Sequence, residues 1–294
     1  MAIVVKDLNK IYRIGSMEIR AVRGLNLTVN EGEMIALIGP SGSGKTTLLN
    51  IIGGLDKATS GSITVFGKEI TNFEPQELVE YRRQTVGHIF QTLNLIPTLT
   101  AAENAKLPMI ALGASGEEQD RRVDELIDIV GLSERKNHKP GELSGGEQQR
   151  VAIAAALAND PAIILADEPT GELDSVNASI IVDYLNKVNK EMGKTIIMVT
   201  HDPTAARSAD RILRIQDGVV RTDVEPVESQ AKDSVDYADI LKERISDIDR
   251  QLEELDDSFR KGGVTGDEFV EGQTKLKQTR SVLVDELHRL GILY

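Results

Sequence analysis

Three runs in the first two-thirds of the chain are nearly continuous in apolar residues: "MIALIG" at 34–39, "AIILAD" at 162–167 and "TIIMVT" at 195–200. They are rich in β-branched residues and end at glycine or polar residues. Such runs predict strands buried on both faces, as in a parallel sheet. Segments 3–8, 25–29 and 62–66 alternate more and predict a smaller, partly antiparallel sheet. Between about 92 and 157 the pattern is mostly helical. Strands interleaved with helices predict an α/β fold with a mostly parallel core sheet and a helical insertion, spanning residues 1–222.

Beyond about residue 226 the pattern becomes a heptad. Leu241, Ile245, Ile248, Leu252, Leu255 and Phe259 are spaced 4-3-4-3-4. Gly262 and Gly263 can stop that helix. Thr265 and Glu268 have the spacing of a capping box for the next one. Phe269, Leu276, Leu283, Leu287 and Leu290 continue at heptad-compatible spacing. The simplest structure for 226–294 is an antiparallel α-helical hairpin. Two readings stay open: a solvated pair of helices closing on itself, or an element that docks on a partner or strengthens a dimer.

Composition adds limits. The 294 residues are 40% hydrophobic and 28% charged, enough apolar material for a sizeable core. The net charge is −13, and residues 222–294 hold ten Lys and Arg against eighteen Asp and Glu, so most of the acidity is in the tail. An acidic surface argues against a nucleic-acid partner, because phosphate backbones are bound by Lys and Arg. The absence of cysteine excludes a disulfide framework and a Cys-based metal site. Charges early in "MAIVVKDLNK" do not suit a signal peptide, and no stretch approaches 18 uninterrupted apolar residues.

The chemistry begins at "GPSGSGKTT": Gly39, Pro40, Ser41, Gly42, Ser43, Gly44, Lys45, Thr46 and Thr47. The pattern G-x-x-x-x-G-K-[ST] follows a strand-like run and precedes a helix-like one, the context a phosphate loop requires. Its glycines let backbone N–H groups face phosphate oxygens, Lys45 reaches the β and γ phosphates, and the Thr46 hydroxyl suits Mg²⁺. The start of the following helix adds partial positive charge. "AIILADE" ends a buried strand on two acids. Asp167 can hold Mg²⁺ through water, and Glu168 can orient and deprotonate an attacking water. Taken alone, an Asp–Glu pair is also ordinary at a strand end. His201, after the third apolar run, is either a structural histidine or a group that contacts the γ-phosphate at the sheet's carboxyl edge. Gln91, in "HIFQTL", is either a surface polar residue or an amide that reaches Mg²⁺ or water.

A second glycine motif, "LSGGEQQR" at 143–150, stands about a hundred residues after the first. Ser144 and Glu147 form S-x-x-E, the signal of a capped helix start. A capped helix start is also an anion site, so the two readings are compatible.

The ordered set GPSGSGKTT, Gln91, LSGGEQQR, ILADEPTGELD and His201 resembles the ATPase subunit of ABC transporters over nearly all of residues 1–222. The resemblance implies a Mg-dependent ATPase that uses ATP and Mg²⁺ and pairs head to tail with a second copy. It implies that each ATP is held by the phosphate loop of one chain and by Ser144, Gly145 and Gly146 of the other. Asp174 would lie along the interface, and Tyr12 matches the aromatic that stacks on adenine, although a half-buried strand tyrosine is the plainer reading. "GGLDKATSG", "IFQTLNLIPTLTAAENAKLP" and "VTHDP" are similar to the lipoprotein-release and macrolide-export branch. That branch implies a separate membrane-spanning permease subunit, and a place for this chain on the cytoplasmic, inner face of the membrane. A cell-division ATPase acting on a membrane partner, and a soluble ABC-type ATPase of repair or translation, are the rival classes. Three residues depart from the family pattern: Glu147 for Gln, Ala155 for Arg and Glu172 for Ala.

Overall fold

The computed structural model describes residues 1–221 apart from Ser16, Ala114 and Glu172, together with fourteen helical positions between Ile245 and Val284. The chain divides into two compact units, Met1–Glu225 and Pro226–Tyr294.

The first unit opens with an antiparallel pair, β1 (Ile3–Ile14) and β2 (Met17–Val29). Strand β3 (Met34–Ile38) leads through a loop into helix α1 (Lys45–Ile52). Strands β4 (Ser60–Val65) and β5 (Lys68–Glu69) return beside β1. Helix α2 (Pro75–Gln84) precedes β6 (Val86–Ile89). Three helices follow: α3 (Ala101–Leu112), α4 (Gly116–Ile129) and α5 (Gly145–Leu157). The unit closes with β7 (Ile163–Asp167), α6 (Ser175–Met192), β8 (Thr195–Val199), α7 (Pro203–Arg207), β9 (Arg211–Gln216) and β10 (Val219–Arg221).

Two sheets result, as expected. The smaller has the order β2-β1-β4-β5 and is antiparallel; the larger has the order β10-β9-β3-β8-β7-β6. All neighbours in the larger sheet are parallel except β10 on β9.

The uninterrupted apolar runs have a direct cause. Side chains of a strand alternate between faces, and both faces of this sheet are covered. Met34, Ala36, Ile164, Ala166, Ile196 and Met198 enter one core with residues of α3–α7. Ile35, Leu37, Ile163, Leu165, Ile197 and Val199 enter the other, with Leu48, Leu49, Ile51 and Ile52 of α1 and the inner face of the small sheet. Burying each large aliphatic side chain contributes about 1.5–3 kcal/mol. Four such residues hold the eight-residue α1 in place, and α1 carries the phosphate loop at its start.

Helix starts in the insertion follow local chemistry. Thr100 and Glu103 form a reciprocal capping box on α3, the Ser115 side chain accepts from the Glu118 N–H on α4, and Gly113 ends α3 in the left-handed region. Each cap satisfies N–H groups that lack helical partners.

In the second unit all fourteen described positions are helical. Ile245 and Ile248 are buried. The Phe259 and Phe269 rings stack with centroids 4.4 Å apart, and Arg280 Nε donates to Asp249 Oδ1 at 2.6 Å. Moving outward from the first contact, partners advance in opposite chain directions, as antiparallel helices require. Leu241, Gly262, Gly263, Thr265, Glu268, Leu283, Leu287 and Leu290 lie outside the described residues.

Candidate functional site

The strand order β3-β8-β7-β6 sets four loops side by side at the carboxyl ends of the sheet. Residues 39–44 follow β3, Thr200 and His201 follow β8, and Glu168 follows β7. Gln91 follows β6, whose Ile89 is in register with Ala166 of β7. The carboxyl edge of a parallel sheet is where α/β folds gather ligands. Gln91, Glu168 and His201 lie on this edge, and Gly39 to Thr47 run from it into the start of α1, whereas Ser144, Gly145 and Gly146 lie elsewhere, at the start of α5.

The phosphate loop curls tightly. Gly44 has φ +102, and a Cβ there would collide with the Ala21 carbonyl of β2. Glycine is therefore required where the small sheet meets the loop. Lys45 is buried, and its Nζ donates to the carbonyls of Gly39 at 2.7 Å and Pro40 at 2.9 Å. Ser43 is buried too, and its Oγ has no hydrogen-bond partner among the described residues. Ser41, Gly42 and Thr46 are exposed, while Thr47 is half-buried.

Thr46 Oγ1 donates to Asp167 Oδ1 at 3.3 Å. Burial pushes the Asp167 carboxyl above its ordinary value, the Thr46 hydroxyl opposes this, and neighbouring Glu168 adds to it. Glu168 has φ +49, a left-handed conformation that costs a residue with a side chain energy and is concentrated at functional sites. Its N–H donates to the Val199 carbonyl at 2.9 Å. Its Oε2 accepts from the His201 backbone N–H at 3.2 Å and lies 2.8 Å from His201 Nδ1. The His201 side chain is 70% exposed and the Glu168 side chain 14% exposed, so the histidine reaches out while the carboxylate stays at the sheet edge. Gln91 is exposed.

The second glycine motif starts α5. Ser144 caps it: Glu147 N–H donates to Ser144 Oγ at 3.3 Å, and Ser144 N–H donates to Glu147 Oε2 at 2.8 Å. A Cβ on Gly146 would collide with the Asn177 side chain. Asn177 in turn donates through its backbone N–H and side-chain Nδ2 to Asp174, at 3.0 and 2.7 Å. The motif therefore packs on the 173–177 segment. In the sequence Asn177 stands out only as a chance glycosylation sequon, since its partner Gly146 is distant along the chain. Ala155 is half-buried on α5, and Glu172 lies outside the described residues.

Tyr12 lies on β1. Its hydroxyl donates to Asp56 Oδ2 at 2.7 Å, and Lys10 Nζ stands 4.6 Å from its ring centroid. Lys10 and Asp56 are two further residues that sequence reasoning passed over. The "GGLDK" stretch containing Asp56 carried no chemical signal of its own.

The ABC transporter family model matches residues 22–171. An uncharacterised ABC transporter ATP-binding protein of Thermotoga maritima is 48% identical over 212 residues, covering 72% of this chain and 90% of that protein. The macrolide export ATP-binding/permease protein MacB of Psychrobacter cryohalolentis is 42% identical over 256 residues, covering 87% of this chain but 38% of that protein. The solved dimer of the ATP-binding cassette MJ0796 in a post-hydrolysis state, bound to ADP and Pi, has a TM-score of 0.70 and 47% identity, covering 74% of this chain and 96% of that one. MJ0796 itself is the ABC transporter ATP-binding protein of Methanocaldococcus jannaschii, 50% identical over 222 residues. The chain belongs to the ABC transporter family, as an ATP-binding subunit of the ATPase class.

Proposed function

We propose that this chain powers export or mechanical work in a separate membrane-spanning permease, and that ATP closes two copies of it head to tail. The observation that carries the reading is the split between its two glycine motifs. One sits on the sheet edge with Glu168 and His201; the other packs on residues 173–177. The second motif, with Ser144 and Gly145 exposed at the start of a helix, suits half of a site completed by a second chain. The dimeric, ADP- and Pi-bound cassette among its relatives supports this.

In this reading Lys45 exchanges the Gly39 and Pro40 carbonyls for β and γ phosphate oxygens. Glu168 takes the proton from the attacking water, while His201 holds the γ-phosphate geometry. Tyr12 takes the adenine ring. Ser144, Gly145 and Gly146 of the second copy face the γ-phosphate, and Asp174 runs along the interface. The Thr46 hydroxyl and the Asp167 carboxylate, 3.3 Å apart, are the hard oxygen donors that Mg²⁺ selects. The remaining ligands of such an ion would come from phosphate and water oxygens and from the Gln91 amide. When bound, Mg²⁺ neutralises charge developing on the phosphates.

No helix among the described residues is long and apolar enough to cross a membrane. We place the chain on the inner membrane face, bound to its permease and not to nucleic acid. The likeness to MacB favours the macrolide-export and lipoprotein-release branch.

Glu168→Gln tests the reading. Removing a general base costs roughly 10²–10⁴-fold in rate. The variant should bind ATP, hydrolyse it that much more slowly and accumulate as a dimer in size-exclusion chromatography. Hydrolysis at the unaltered rate would remove Glu168 from the role of base. Co-purification from membranes tests the partner; recovery with ribosomes or DNA instead would overturn it.

A further inference from the structure

Tyr12 is held on two sides. Its hydroxyl donates to Asp56 Oδ2 at 2.7 Å, and the Lys10 ammonium sits 4.6 Å from its ring centroid. Lys10 also donates to Asp56 Oδ1 at 2.6 Å and to the Lys57 carbonyl at 2.8 Å. The carboxylate takes a third bond from the Lys57 backbone N–H at 2.7 Å. These groups are well shielded: the Lys10 side chain is 12% exposed and the Asp56 side chain 28%.

Three consequences follow. Lys10 and Tyr12 both lie on β1, and the Lys10 ammonium covers one face of the ring. A planar base can then stack only on the opposite face. The hydroxyl bond fixes the ring's remaining freedom, its swing about the Cα–Cβ bond. Asp56 lies just beyond the carboxyl end of α1, and the backbone N–H groups of Leu55 and Asp56 both donate to the Asn50 carbonyl. The helix that bears the phosphate loop at its start therefore carries the clamp for the ring at its end.

We propose that Lys10 and Asp56 are positioning residues for the adenine base, clamping the Tyr12 ring so that one face stays set for stacking. This rests on the reading of Tyr12 as the base-binding aromatic. A ring ordered before binding gives up less rotamer freedom when the base arrives, so the clamp raises affinity without touching the nucleotide. A purely structural ion pair joining β1 to the end of α1 would act on the whole loop instead, phosphates included.

The experiment compares Mg-ATP with Mg-tripolyphosphate, which has the phosphates and no base, by calorimetric titration of the full chain. Lys10→Met, Asp56→Ala and Tyr12→Phe each remove one part of the clamp, and Tyr12→Ala removes the ring. Stacking and cation–π contacts of this kind amount to roughly three- to tenfold in affinity. We expect the three clamp variants to weaken Mg-ATP by about that factor and leave Mg-tripolyphosphate within about twofold. Tripolyphosphate binding also reports that each variant is folded; should Asp56→Ala fail to fold, Tyr12→Phe tests the same bond. Equal weakening of both ligands would make the ion pair structural and overturn the inference. So would a loss of ATP affinity in Tyr12→Ala with none in the clamp variants, and there the base-stacking reading would stand. Unchanged ATP affinity in Tyr12→Ala would instead sink that reading, and the inference with it.

Discussion

At position 147 the chain puts a carboxylate on the third residue of α5, and the helix uses it. The Ser144 N–H bond holds the Glu147 carboxyl below the usual range; burial opposes this, and Arg135 and Arg150 assist. A negative charge stabilises a helix start, but it also offsets the positive potential that a phosphate would meet there. Arg135 Nε, 3.5 Å from Glu147 Oε1, restores part of that potential. Glu147→Gln keeps a carbonyl to accept from Ser144 and removes the charge. In a Glu168→Gln background it should dimerise at equal ATP concentration or at up to about fivefold lower, read by size-exclusion titration. A higher requirement would mean that the charge itself serves the interface. The Ser144–Glu147 cap was legible because its partners stand three residues apart. The contacts of Gly146 with Asn177, and of Tyr12 with Asp56, join residues distant in sequence, and no local pattern announces them.

Among the elements, β6 carries a partly buried histidine. His88 Nε2 lies 3.5 Å from the Gly53 carbonyl at the end of α1, and its ring stacks on Phe90 with centroids 5.2 Å apart. Burial pushes His88 down to about 4, and the nearby Arg82 charge adds to this. An unfolded histidine titrates near 6.5. Between those values the unfolded chain binds the extra proton, so stability is highest above about pH 6.5. It declines as pH falls toward about 4, by up to about 1.4 kcal/mol per unit. Urea denaturation at pH 7 and pH 5 should show a smaller acid loss in His88→Gln than in the parent, by roughly 1–2 kcal/mol. Equal losses would clear His88 of the effect. The core strands were legible because both their faces are buried. The lengths of β1 and β2 were not. Their ladder slips between Val5 and Leu8, between Leu8 and Lys10 and between Lys10 and Ile11, with Asp7 at φ +46. Such irregularities break the alternation that marks a strand, and they hide the stretch of β1 that bears Tyr12.

At the scale of the whole molecule, the described residues of both hydrophobic cores that hold the sheet edge all belong to the first unit. A chain ended after Glu225 should therefore fold cooperatively and keep the ATPase rate within about twofold, checked by thermal melting and phosphate release. A truncated chain that does not fold would make the tail part of the ATPase fold. The α/β order and the motifs were readable from one sequence, because each motif is local. In the proposed reading the site is shared between copies, and one chain then displays only its two separate halves. The strand order carries a mechanical corollary. Strands β3, β8 and β7 each have hydrogen-bonded neighbours on both sides, whereas β6 closes the sheet and, among the described residues, pairs with β7 alone. Compliance at the nucleotide edge is thus uneven. The segments bearing Lys45, His201 and Glu168 are anchored as an anvil, while Gln91 sits on the softest rim, where the chain leaves the sheet for the helical insertion. A load applied to those helices would bend the rim before it disturbed the anvil.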